Sequence, residues 1–163
     1  MSIILAALAF SASSLGNLIT VIDGWQLRRD DKGNCSLNRQ LITGSQAVIA
    51  SFANDPKPMI SLWNDTWLSL KTKKTVTVSI EIEAMNINAE QAATVLVYQG
   101  SPSIAFGLPW ETLGRTVGNV KSSRADINIR MGDKLIGSFP TGSTNALGAL
   151  KACAGAADPF AGQ

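Results

Sequence analysis

Apolar and polar positions alternate most regularly in residues 75–85, Thr-Val-Thr-Val-Ser-Ile-Glu-Ile-Glu-Ala-Met. Val76, Val78, Ile80 and Ile82 fall on one side of an extended chain, and Thr77, Ser79, Glu81 and Glu83 on the other. Side chains alternate faces along a strand, so the pattern predicts a half-buried β-strand with one wet face. Helical spacing would scatter the same apolar residues around a circumference. A strand of this kind implies a sheet packed on one side, which the rest of the chain must cover.

The flanking segments read the same way. Residues 25–29 form a short strand with Trp25 and Leu27 inward, and residues 30–34, Asp-Asp-Lys-Gly-Asn, form a polar turn. Residues 35–43 continue as a strand with Leu37 and Leu41 on the face of Cys35; Gly44-Ser45 breaks it, and residues 46–52 resume. Short turns between such strands predict an antiparallel meander. Pro56 and Pro58 mark a loop, residues 59–63 a strand, and residues 67–70 a return of the apolar pattern. Residues 86–93 are polar enough to suggest a helical turn, and residues 94–98, Thr-Val-Leu-Val-Tyr, another strand that Gly100-Ser101-Pro102 ends. Residues 108–114 have Pro near the start and Gly at the end of a one- or two-turn helix. Further on, Ile127, Ile129 and Met131 alternate with polar residues, and Gly132-Asp133 closes a hairpin that places Ile129 opposite Ile136.

Near the end the period changes. Residues 144–154 are rich in Ala and Leu, with Ala146, Leu150 and Cys153 on one helical stripe and Leu147 beside it. Thr141 or Ser143 is placed to cap the start and Gly155 to stop the helix. The predicted fold is mainly β: an antiparallel β-sandwich or flattened barrel of about eight strands, closed by a C-terminal α-helix. Residues 23–156 form a single domain and residues 157–163 a loose tail.

Composition adds an address. The 163 residues suit one domain, and 45% hydrophobic against 16% charged residues supply a core and exclude a disordered chain. A formal charge of +2 gives no reason to expect a nucleic-acid partner. Lys71, Lys73 and Lys74 are the one local cluster, a charged loop before the central strand or an anion site. Residues 1–22 are uncharged; an apolar run over residues 3–10, too short to span a bilayer, precedes Ser-Ala-Ser-Ser. This predicts a secretory signal segment with cleavage around residues 12–16, the alternative being an N-terminal core strand or helix. No other stretch is long and apolar enough to anchor the chain in a membrane. The two cysteines, Cys35 and Cys153, are an even count that in an exported chain favours a disulfide; in the cytosol they would be two buried thiols.

Candidate chemistry is sparse. The chain has no histidine, which removes Ser-His-Asp and Cys-His nucleophile arrangements and the commonest zinc ligand. No glycine-rich phosphate loop follows a strand, and no metal or cofactor is expected. Glu81 and Glu83 project from one side of the central strand; a solvated outer face is the ordinary explanation of such a pair, and the alternative is that a glycan hydrolase draws its acid and base from it. Trp63, Trp67 and Trp110 are the candidates for partner binding, set against a role in capping the core.

Residues 35–41 read Cys-Ser-Leu-Asn-Arg-Gln-Leu, residues 141–150 read Thr-Gly-Ser-Thr-Asn-Ala-Leu-Gly-Ala-Leu, and Trp25 stands ten positions before Cys35. These stretches resemble the invasion-associated locus B family of exported proteobacterial proteins, or a related alphaproteobacterial envelope group. The resemblance implies a small β-sandwich with a tryptophan strand, a Cys-x-x-x-x-Gln segment and a late Ala-Leu helix; it carries over no catalytic residue. A cysteine within that helix departs from the family's pattern. The function expected is that of a periplasmic or secreted, non-enzymatic protein binding a protein or envelope partner. The alternatives are a carboxylate-dependent glycan hydrolase and a carrier of small apolar ligands, the latter with a cavity bordered by Val95, Val97 and Phe106.

Overall fold

The computed structural model describes residues 16–51, 57–82, 87–98, 100–108, 127–139 and 144–155. The fold is mainly β, antiparallel throughout, with a C-terminal α-helix. Its strands are β1 (Asn17–Ile22), β2 (Trp25–Arg29), β3 (Cys35–Gln40), β4 (Gln46–Ser51), β5 (Met59–Trp63), β6 (Thr75–Ile82), β7 (Ile87–Tyr98), β8 (Ser101–Gly107), β9 (Ile127–Met131) and β10 (Lys134–Phe139). A 3-10 helix, Leu68–Thr72, precedes β6, and helix α1 spans Thr144–Gly155. All ten strands belong to one sheet in the order β1-β2-β3-β4-β5-β8-β7-β6-β9-β10. The sheet is not closed: β1 and β10 are its edges. Ten strands rather than about eight arise because residues 17–22 and 101–107 each add one.

Register explains the core. Leu27, Leu37, Ile49, Ile60 and Phe106 lie opposite one another in sequence across β2, β3, β4, β5 and β8. A second row runs through Ala47, Leu62, Ile104 and Val95. Every member of both rows is buried, so the two-residue period of each strand sums into a continuous inner face. The sheet coils around that face. Val78 and Ile80 of β6, Ile129 of β9 and Ile136 of β10 join the same cluster as Trp25 and Leu37. Thr43 Oγ1, in the β3–β4 turn, donates to the Ile136 carbonyl at 3.3 Å, drawing β10 toward β3 and β4.

Helix α1 covers the part of the inner face nearest β2, β3 and β4. Ala146, Leu147 and Leu150 are buried in the core, on the stripe that helical spacing predicts. Cys153 is bonded to Cys35 of β3, with a Cα–Cα distance of 6.1 Å and 118 positions between them. Helix and sheet are thus joined covalently at the same face that joins them by burial.

Four local expectations change. Residues 87–93 belong to β7 and form no helical turn, because β6 and β7 pair residue by residue from Thr75↔Thr94 to Ile82↔Ile87. A long partner strand overrides the weak β-preference of Ala, Asn and Glu. Pro102 lies inside β8, opposite Val97, where the expected break stood. Residues 68–72 form a 3-10 helix; Trp67 and Leu70, three apart, turn inward together. Ile129 faces Gly137, since the β9–β10 register slips between Leu135 and Gly137. The extra residue is Ile136, and the bulge lets both Ile129 and Ile136 reach the core at 1% exposure. All but Leu108 of the expected helix over residues 108–114, the caps Thr141 and Ser143, and residues 157–163 lie outside the described residues.

The first hairpin is made by Asp23 and Gly24, both at positive φ (52° and 77°). That conformation suits a two-residue turn whose twist matches its strands. Strand β1 begins just after the window expected for signal cleavage, and residues 1–15 lie outside the described residues. Among the described residues no helix is long and apolar enough to cross a membrane.

Candidate functional site

The tryptophans divide by face. Trp67 is 5% exposed and belongs to the core. Trp25 is fully buried; the guanidinium of Arg39 stands 5.9 Å from its ring centroid and donates to the Asp23 carbonyl at 2.9 Å. Trp63 follows the inward Leu62 and therefore points to the outer face, where it is half-buried against Val48 and Ala50. The same face carries the buried polar residues Ser36, Asn38 and Ser61, with Asn38 Nδ2 donating to Ser36 Oγ at 3.0 Å. Trp110 lies outside the described residues. Trp63 and Trp67 therefore sit on opposite sides of the sheet and do not combine into one aromatic surface.

Among the described carboxylates, Glu81 is held by a cation and Asp30 by a turn. Glu81 Oε2 accepts from Arg130 Nε at 2.8 Å, and Arg130 Nη1 donates to the Asp133 carbonyl at 3.1 Å. Glu81 is flanked across the strands by Asn88 and Asn128, on the outer face of the sheet. Its expected partner Glu83 lies outside the described residues. Asp30 builds the β2–β3 turn: Oδ1 accepts from the backbone N–H groups of Lys32 and Asn34 at 2.9 and 2.8 Å, and Oδ2 from Asn34 Nδ2 at 2.9 Å. This is the side-chain mimicry of a turn that Asp supplies by length and charge. Among the described residues no group of three His, Cys, Asp or Glu is placed to hold a metal ion. Of the residues named for an apolar carrier cavity, Val95 and Phe106 are packed in the core, whereas Val97 is 47% exposed.

Sequence reasoning did not single out the edge strand β1. Among the described residues it is bonded to β2 on one side only. Leu18, Ile19 and Val21 are 52%, 51% and 57% exposed. No charged residue occurs between Gly16 and Ile22. Edge strands of soluble proteins are ordinarily blunted by charge, proline or a cover, because their free N–H and C=O groups template pairing with another chain. Among the described residues the one such device at β1 is a register slip between Leu18 and Thr20. At its start, Arg28 Nη1 donates to the Gly16 carbonyl at 3.1 Å, and Gln26 Oε1 accepts from Arg28 Nε and Nη2 at 3.3 and 3.1 Å, fixing the strand in place. The signal that would have found β1 is Asp23-Gly24 flanked by apolar residues, a strong hairpin marker.

Compared with protein-family models, curated proteins and solved structures, the chain matches none.

Proposed function

We propose that the protein is an exported, non-enzymatic β-protein, periplasmic or secreted, that binds a protein partner of the envelope or beyond through β1. The observation that carries this reading is the edge strand: an uncharged segment paired to β2, with Leu18, Ile19 and Val21 more than half exposed. Strand addition uses such an edge, with main-chain hydrogen bonds supplying affinity and alternate side chains supplying selectivity. The Cys35–Cys153 bond supports the address, since disulfides persist in oxidising compartments. The engagement of Glu81 by Arg130 on the outer face favours this over a glycan hydrolase, which needs two carboxylates opposed across a cleft. The resemblance carried by Trp25, Cys35 and the Ala-Leu helix points to the same compartment.

The test is co-purification from envelope extracts with the intact chain and with Ile19→Lys/Val21→Lys. A partner held by the intact chain and released by the double variant, with unchanged circular dichroism, supports the proposal. An identical set of co-purifying proteins for both removes β1 from binding. Two free thiols in the mass of protein recovered from the envelope fraction would remove the export argument.

A further inference from the structure

The lysine cluster acquires neighbours once the chain is folded. The 3-10 helix Leu68–Thr72 packs against β7 and β8. Trp67 and Leu70 anchor it from below, and Leu68 is left 60% exposed. Lys71, Lys73 and Lys74 are all exposed. The Lys71 ammonium reaches within 3.9 Å of the Cβ position at Gly100, in the β7–β8 turn. Val95 N–H donates to the Lys74 carbonyl at 2.9 Å, so β7 runs past Lys74 toward the helix and brings Val97, 47% exposed, to the same end. The nearby carboxylate of Asp65 accepts from Ser101 Oγ at 2.7 Å. Counting Asp65 with the three lysines leaves residues 65–74 at a net +2.

We propose that this end of the sheet docks on an anionic phospholipid surface. Lys71, Lys73 and Lys74 meet the phosphates, while Leu68 and Val97 enter the boundary between headgroups and acyl chains. The mixture of chemistries selects this partner. Lysine stems lie along apolar surface while their ammonium groups stay in the polar layer, and exposed aliphatic residues beside them gain burial that an aqueous anion cannot provide. A nucleic-acid backbone would also meet the lysines, but it offers no apolar layer in which Leu68 and Val97 could be buried, and residues 68–74 contain no arginine fork and no aromatic face for base edges or stacking. Exposed Ser69 and Thr72 add hydroxyl donors at the same level. This surface is separate from β1, so the inference stands or falls apart from the partner proposed above.

The test is flotation of the intact, oxidised chain with phosphatidylcholine vesicles and with vesicles of equal parts phosphatidylcholine and phosphatidylglycerol. The quantity read is the ratio of the two affinities, in which any charge-independent contribution from other apolar segments cancels. Each lysine near such a surface contributes about five-fold, so the three together give a ratio of order one hundred at low salt. That ratio should collapse at 1 M salt, where the screening length falls to about 3 Å. Lys71→Ala/Lys73→Ala/Lys74→Ala should bring it near one, and Leu68→Ser should weaken binding to the anionic vesicles. Lys134→Ala/Lys151→Ala, exposed elsewhere, should leave it unchanged. A ratio near one for the intact chain overturns the proposal, as does a ratio the triple variant preserves. Binding of polyglutamate in place of anionic vesicles would reassign the surface to an acidic protein.

Discussion

Opening the Cys35–Cys153 bond should destabilise the fold by an amount set mainly by loop length. The bond closes a loop of 118 positions. In the chain-entropy model the constraint removes about 2.1 + 1.5R ln n, or about 16 cal/mol/K, from the unfolded chain, worth about 4.9 kcal/mol at 25 °C. Residual structure in the reduced unfolded chain lowers the figure, so the working range is about 3–5 kcal/mol. With a urea dependence of about 2 kcal/mol per molar, the midpoint should fall by about 2 M. The assay is urea unfolding followed by both tryptophan fluorescence and circular dichroism, on oxidised protein, reduced protein and Cys35→Ala/Cys153→Ala. Two reduced forms are needed because Cys35 is 1% exposed and its truncation adds a small packing loss of its own. A midpoint shift below about 0.5 M in both would refute the loop argument, since that corresponds to about 1 kcal/mol. If fluorescence and dichroism diverge after reduction, α1 leaves the sheet before the strands unfold, which locates the bond's effect in docking.

Other substitutions separate burial, charge and backbone conformation. Leu37→Ala, within the row from Leu27 to Phe106 and fully buried, should cost about 2–5 kcal/mol in the same unfolding assay. A double-mutant cycle on Glu81 and Arg130, whose side chains are about a third exposed, should return a coupling under about 1 kcal/mol that fades with added salt. Gly16 and Gly132 both have positive φ, at 73° and 57°. A methyl group at Gly16 would overlap the Arg29 carbonyl, whereas nothing lies within 4 Å of one at Gly132. Gly132→Ala should therefore cost about 1 kcal/mol for its backbone conformation alone, and Gly16→Ala distinctly more.

Legibility in the sequence followed the range of the forces involved. Strands β2 and β5 begin and end where alternation places them, because each is read from its own two-residue period. The stripe of α1 and the pairing of its cysteine were likewise visible, one from local periodicity and the other from an even count. Residues 87–93 were not, since their strand character comes from β6 opposite them rather than from Ala and Asn. The Ile136 bulge was hidden because counting outward from Gly132-Asp133 assumes equal strand lengths on both sides. The β5–β8 junction depends on residues forty or more positions apart, for which no short window carries a signal. Trp63 could have been placed outside from Ile60 and Leu62 alone. The company of Lys71, Lys73 and Lys74 could not, because Val97 reaches them only through the β6–β7 pairing.

A crosslink between the third strand and the last helix also imposes an order of events on biogenesis. The thiol of Cys35 emerges 118 residues ahead of its partner, so during synthesis the meander β1–β5 must be made while that thiol is still reduced. With two cysteines in the chain, no wrong internal pairing exists, and the hazard of the interval is capture by another molecule. Burial of Cys35 within an early-folded meander would shield it, yet the same burial would delay oxidation until α1 arrives. Pulse-labelling with a thiol reagent as the chain lengthens reads out which applies: protection of Cys35 before residue 153 is made means shielding by the strands, and protection only afterwards means shielding by the bond.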